Sequence, residues 1–170
     1  MTFVGLGLSL SNEGPLGDTL AVAQRADALG FDEVSLPESR QHRAVFSAAA
    51  ATLATTRRTR VRIGIANPVT RHPAVLAMEA ATLAEIAGPD RLAFGVGAAV
   101  WTMRALGYEP PAWQPYTNVV ETVRAMRRWL EGDELGFTPT TFRADRSNRL
   151  DFVPTGPIRI DIGAVNGRMM

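Results

Sequence analysis

Cysteine is absent from this sequence, which excludes disulfides, thiolate nucleophiles and cysteine-based metal centres. Histidine is scarce as well. His42 and His72 are the two present, and no carboxylates are spaced around them as a zinc site requires, so no metal is expected. No apolar run reaches the roughly 20 residues that a membrane-spanning helix needs, which argues against a membrane partner. Neither sign of charge dominates: 18 basic residues stand among 17 acidic ones for a net charge of +1, with no basic stripe to hold nucleic acid. No charged-then-apolar leader follows Met1, and together with the missing cysteine this makes a soluble, cytoplasmic protein the expectation.

What is present is enough apolar material for one core, 46% hydrophobic over 170 residues, read as a single domain spanning 1–170. Short β-branched or apolar runs alternate with longer segments of helical period, the pattern of βα units around a parallel sheet. Strands are expected at Phe3 to Leu10, Phe31 to Leu36, Val61 to Asn67, Arg91 to Gly97 and Pro157 to Gly163. Between them the spacing predicts helices at Leu16 to Leu29, capped by Asp18 and closed by Gly30, at Ala44 to Thr56, from Pro73 to Ile86, and at Tyr116 to Leu130. Residues 133–157 are polar and punctuated, suiting a hairpin or long loop. The sum is an α/β protein of about five parallel strands and four helices. A closed barrel of this kind has eight of each over about 250 residues, so the count describes half of one; an open doubly wound sheet of five strands is the alternative of the same size.

One stretch carries the most chemistry. From Arg62 to Ala74 a buried strand runs through a polar, proline-bracketed turn into a helix. Val61, Ile63 and Ile65 suit a strand, and Pro68 cannot donate to a ladder and ends it. Pro73 fits the first turn of the next helix, and His72 is placed to cap or orient its start. Strand ends leading into helices of this kind are where α/β barrels hold cofactors.

Gly30-Phe31-Asp32-Glu33-Val34, then Asn67-Pro68-Val69-Thr70-Arg71-His72-Pro73, then the run from Ala81 to Gly97 come in an order that resembles the luciferase-like monooxygenase superfamily. The Thr-Arg-His-Pro segment is similar to the branch using the deazaflavin coenzyme F420, which includes methylenetetrahydromethanopterin reductases. The likeness extends from Phe3 to about Met170 and covers the first half of the family's barrel. It implies an incomplete TIM-type barrel, truncated relative to the whole, that binds coenzyme F420 or FMN at the carboxyl ends of its strands.

The resemblance also assigns residues. A non-proline cis peptide of the third strand would fall at Gly64-Ile65, with an ordinary strand glycine near a bulge as the alternative, and Gly64, Ile65, Ala66 and Asn67 would position the ring system. Gly95 and Gly97 join them at the end of the fourth strand, and Asn166 and Gly167, with Arg168 beside them, stand where relatives place a phosphate-holding turn. Glu38 corresponds to a common acidic residue at the end of the second strand and is a candidate proton donor or acceptor; Ser39 occupies the place of the histidine that usually follows, for which His42 is a substitute. A solvated loop carboxylate and a plain surface histidine are the ordinary explanations of Glu38 and His42.

One further departure matters. After Gly97 the family tends to show another glycine and a polar residue, whereas Ala98-Ala99-Val100 stands here. Glu85 and Arg91 match a family pair and are expected to form an ion pair. Trp101, Met103 and Leu106 would wall a substrate pocket, or form an apolar helix face.

The leading functional reading is therefore hydride transfer to or from a small organic substrate. The alternative is a catalytically incompetent half-barrel, or a module that completes its sheet by forming a homodimer or larger assembly through exposed edges.

Overall fold

Five apolar segments pair side by side in a computed structural model that describes residues 5–39, 41–109, 113–154 and 156–164. They are β1 (Gly7–Ser9), β2 (Glu33–Leu36), β3 (Arg60–Ala66), β4 (Leu92–Gly97) and β5 (Arg159–Gly163). All pairings are parallel, and the order across the sheet is the order along the chain. That order separates the two architectures the sequence left open. Right-handed crossovers between consecutive neighbours all fall on one face, as in a barrel, whereas a doubly wound sheet must reverse its order to cover both faces.

The connecting helices are α1 (Leu16–Leu29), α2 (Val45–Thr55), α3 (Pro73–Ala87), α4 (Val100–Ala105) and α5 (Pro115–Leu130), with α1 against α2, α2 against α3 and α3 against α5. Among the described residues there are thus five helices where periodicity predicted four. α4 is not among those four, although Trp101, Met103 and Leu106 read as an apolar helix face in the sequence; its entry residue Ala99 has a positive φ of 45°.

Alternation along the strands sends one set of side chains under the helices. Val34, Leu36, Val61, Ile63, Leu92, Phe94 and Val96 join Leu53, Leu76, Met126 and Trp129 in the core. The other set, including Glu33, Ser35, Arg60 and Arg62, points to the face that carries no helix. Local signals set the ends of the helices. Gly30 (φ 82°) closes α1, and His72 accepts from the Ala74 N–H at 3.1 Å to cap α3 one residue before Pro73. Asp18 does not cap α1: Pro15 holds the N-cap position, with no side-chain cap bond.

Arg91 departs from expectation too. Its guanidinium donates to Thr56 Oγ1 at 2.8 Å and to the carbonyls of Thr59 and Ala87, rather than pairing with Glu85. Residues 131–157 form no strand among the described residues. Residues 134–148 lie against α5, held by Trp129 Nε1 donating to the Asn148 carbonyl at 2.8 Å and by Glu121 receiving the N–H and hydroxyl of both Thr140 and Thr141.

Candidate active site

The carboxyl ends of β1 to β4 and the loops leaving them gather most of the polar residues singled out in the sequence. At the end of β2, Glu38 turns toward β3. One carboxylate oxygen accepts the Asn67 N–H at 2.8 Å, and the other forms an ion pair with Arg71 Nη1. Glu38 is therefore not a solvated loop carboxylate. Its side chain is 17% exposed and both oxygens are engaged.

Asn67, itself 1% exposed, works in the opposite sense. Its side-chain oxygen accepts from the N–H groups of Val69 and Thr70 at 2.7 and 3.1 Å, while its amide nitrogen donates to the Ala98 carbonyl at 3.3 Å. It thus folds the β3–α3 turn and ties it to the end of β4. Arg71 lies over the Phe46 ring, 4.6 Å from the centroid, so its charge is held between Glu38 and an aromatic face.

Asn12 does for β1 and β2 what Asn67 does for β3 and β4. It is 3% exposed, donates to the carbonyls of Pro37 and Arg43, and accepts from Ser39 Oγ at 3.2 Å. Ser39, which stands in the histidine position, is thereby used as a loop brace. His42 lies outward, with Nε2 3.9 Å from Glu13. Glu38, His42, Asn67, Thr70, Arg71 and Thr102 border a hollow of about 310 Å³ at this end of the sheet.

The bulge lies on the helix-free side. The Gly64–Ile65 peptide is cis, at the position the resemblance implies, and the β3–β4 register shifts between Ile63 and Ala66. Because of that shift the Ile65 side chain lies across β4. A Cβ placed on Gly97 would fall 2.0 Å from Ile65 Cδ1, and one on Gly163 of β5 would fall 3.1 Å from it. A Cβ on Gly95 would come within 2.4 Å of the Ile63 carbonyl oxygen, and one on Gly64 within 2.6 Å of Ser35 Oγ. Gly95 and Gly97 thus have a packing reason: they let β3 and the Ile65 side chain approach.

Asn166 and Gly167 lie outside the described residues, as does Arg168. Of the apolar candidates, Met103 is fully buried, whereas Trp101 is 76% exposed and Leu106 borders the hollow. Sequence reasoning missed Arg71, Asn12 and the ion pairs of the helix-free face. Arg71 sits 33 residues from Glu38, so nothing local marks the pair. The signal available was the Arg60-Val61-Arg62 alternation, which puts arginines on the face opposite the core.

A consecutive parallel sheet with helices on one side, polar loops gathered at the strand ends and a bulge in the third strand defines an α/β protein of TIM-barrel type. The chain belongs to the luciferase-like monooxygenase family, whose model matches residues 1–170. It is similar to a 5,10-methylenetetrahydromethanopterin reductase of Methanolobus tindarius, 30% identical over 137 residues that make up 79% of this chain and 40% of that protein. The coenzyme F420-dependent tetrahydromethanopterin reductase of Methanopyrus kandleri superposes with a TM-score of 0.84 at 21% identity, over 96% of this chain and 51% of that one. An F420-dependent secondary alcohol dehydrogenase in complex with an F420-acetone adduct matches with a TM-score of 0.79 at 25% identity, over 95% and 52% of the two chains. The chain therefore spans about half the length of the solved structures and less of the reductase sequence.

Proposed function

We propose that this chain carries the strand-end half of a (deaza)flavin site in an oxidoreductase, with coenzyme F420 as the cofactor and FMN as the close variant. The observation that carries the reading is the bulge of β3. It sets the Gly64–Asn67 backbone and the Ile65 side chain on the helix-free face at the end where barrels hold ligands. The 310 Å³ hollow that Asn67 borders is at the lower end of the sizes that take small molecules, roughly 300–1,000 Å³. Membership of the family and the F420-dependent relatives support the same assignment.

When bound, the cofactor supplies the hydride chemistry, passing hydride to or from a small organic substrate. The residues of this chain hold and orient. Ile65 offers an apolar seat for a flat ring, Asn67 fixes the turn beside it, and the Glu38–Arg71 pair anchors the loop wall. Glu38 in this arrangement is a positioning group, since Arg71 and the Asn67 N–H use both of its oxygens. His42, on the outer rim of the hollow, is the side chain left to exchange a proton with a substrate there.

Titration of the intact chain with F420 and, separately, with FMN tests the proposal. A saturable change in cofactor absorbance or fluorescence at micromolar concentration supports it. No binding at high micromolar concentration overturns it and leaves family membership standing alone. A second reading is favoured by one observation: among the described residues, β1 and β5 each have a sheet neighbour on one side only. Under it the chain self-associates through these edges as a homodimer or larger assembly without a competent cofactor site. Light scattering that shows oligomers, together with no uptake of either cofactor, supports that reading.

A further inference from the structure

The helix-free face carries a set of charges that the proposed cofactor seat does not use. Arg62 donates to both oxygens of Glu33 on β2, Nε to Oε1 at 2.5 Å and Nη2 to Oε2 at 2.9 Å. Its remaining nitrogen, Nη1, forms an ion pair with Asp161 on β5. Asp161 also accepts from Arg159 Nε at 2.9 Å, and Arg60 stands 3.8 Å from Glu33. One guanidinium therefore joins β2 to β5 over the top of β4.

That reach depends on what β4 lacks. Arg62 registers with Ala93, and Asp161 with Gly95, so β4 offers no side chain longer than a methyl group beneath the crossing. Ala93 is fully buried under it. A little further along the same face, Ile65 makes a second crossing from β3 over Gly97 to Gly163. Asp161 and Gly163 are two residues apart on β5 and share a face. The polar crossing and the apolar crossing are therefore parallel ties between the same two strands. Among the described residues β5 otherwise pairs only with β4.

The geometry points to Arg62 as a positioning residue for the cofactor seat: by holding Asp161 it fixes β5 against the bulge, so that Gly163 meets Ile65 and the isoleucine keeps one place. This rests on the function proposed above, and it deepens that reading by naming what sets the seat. All 18 basic residues of the chain are arginine, and at this position the choice has a reason. A planar fork can serve Glu33 with two nitrogens and Asp161 with a third, which a lysine ammonium at the end of a flexible stem cannot do from one place.

The test compares the wild-type chain with Arg62→Met, Arg62→Lys and Asp161→Asn. The last alters only an edge strand, so it survives as a probe if Arg62→Met fails to fold. Two readouts are needed. Amide hydrogen exchange over residues 159–163 reports the tie itself without any cofactor, and titration with F420 and with FMN reports the seat. Expected are faster exchange in β5 for Arg62→Met and Asp161→Asn, and about tenfold weaker binding of whichever cofactor the wild type takes, with Arg62→Lys between. Unchanged exchange in both charge-removing variants overturns the tie, whether or not cofactor binds. Faster exchange with unaltered affinity overturns the link to the seat. A wild type that binds neither cofactor, yet shows the exchange pattern, refutes the proposed function and with it the link to the seat, and leaves Arg62 as a strand clamp alone.

Discussion

At the scale of single residues, the two glycines of β4 separate two kinds of close approach. A Cβ on Gly95 would meet a backbone oxygen, Ile63 O at 2.4 Å, which cannot step aside without moving β3. A Cβ on Gly97 would meet the terminal methyl of Ile65 at 2.0 Å, a group that can turn about its own side-chain bonds. Gly95→Ala is therefore expected to cost about 1–3 kcal/mol by urea unfolding, the range for forced overpacking, and Gly97→Ala less. Shortening the neighbour, in Gly97→Ala with Ile65→Val, should restore most of the loss, while the same partner change should leave Gly95→Ala unrelieved. Equal costs, or no relief, would contradict the crossing of β4 by Ile65. The Gly-x-Gly spacing was legible in the sequence, but its reason was not: the partner of Gly97 is 32 residues earlier, on a strand whose register is shifted by a bulge. Glu38 was singled out as a candidate and misread in its surroundings, because its ion-pair partner comes from a different loop.

At the scale of elements, carboxylates at two junctions set how the structure responds to acid. Asp27, in the last turn of α1, accepts the N–H groups of Arg57, Arg58 and Thr59 at 3.0, 2.8 and 2.7 Å and so pins the α2–β3 turn. Burial alone would raise its pKa, but those three donors outweigh burial and hold it below the ordinary 3.8. Glu121 on α5 is similar: burial opposes, and the hydroxyls and N–H groups of Thr141 and Thr140 prevail, keeping it below 4.5. A carboxylate depressed in the folded state stabilises above its unfolded pKa and loses that contribution as pH falls through the folded value. The stability from both groups is thus complete at neutral pH and declines below about pH 4 to 4.5. Asp27→Asn and Glu121→Gln should each lower stability at pH 7 by about 1–2 kcal/mol, the scale of hydrogen bonds to a charged group, and flatten the acid limb of a plot of urea midpoint against pH. Four of the five helices were readable because proline, glycine and a 3.6-residue period mark them. The clamps that Asp27 and Glu121 make were not, since they join segments 30 and 19 residues apart through side chains that read as ordinary surface acids.

At the scale of the whole molecule, among the described residues the sheet carries helices on one side and β5 has one strand neighbour. Ile162, 46% exposed, lies beside Val120 and Val123 of α5 in a hollow of about 400 Å³. If the proposed self-association uses this edge, Ile162→Lys should shift sedimentation toward monomer, because a lysine on an edge strand opposes pairing. An unchanged distribution would place the contact elsewhere. From the pattern of elements the barrel was legible as one of two architectures, and the family resemblance pointed to it; the consecutive strand order bears that expectation out, and order is set by packing that no single segment encodes.

That order bears on synthesis. Among the described residues each of β2 to β5 lies next to the strand made just before it, so each newly emerged βα unit finds its docking surface already present at the ribosome exit. No strand has to wait for a distant stretch still untranslated before it can join the sheet, and the growing nascent chain can lay the layer down in one direction, residue 7 toward residue 163.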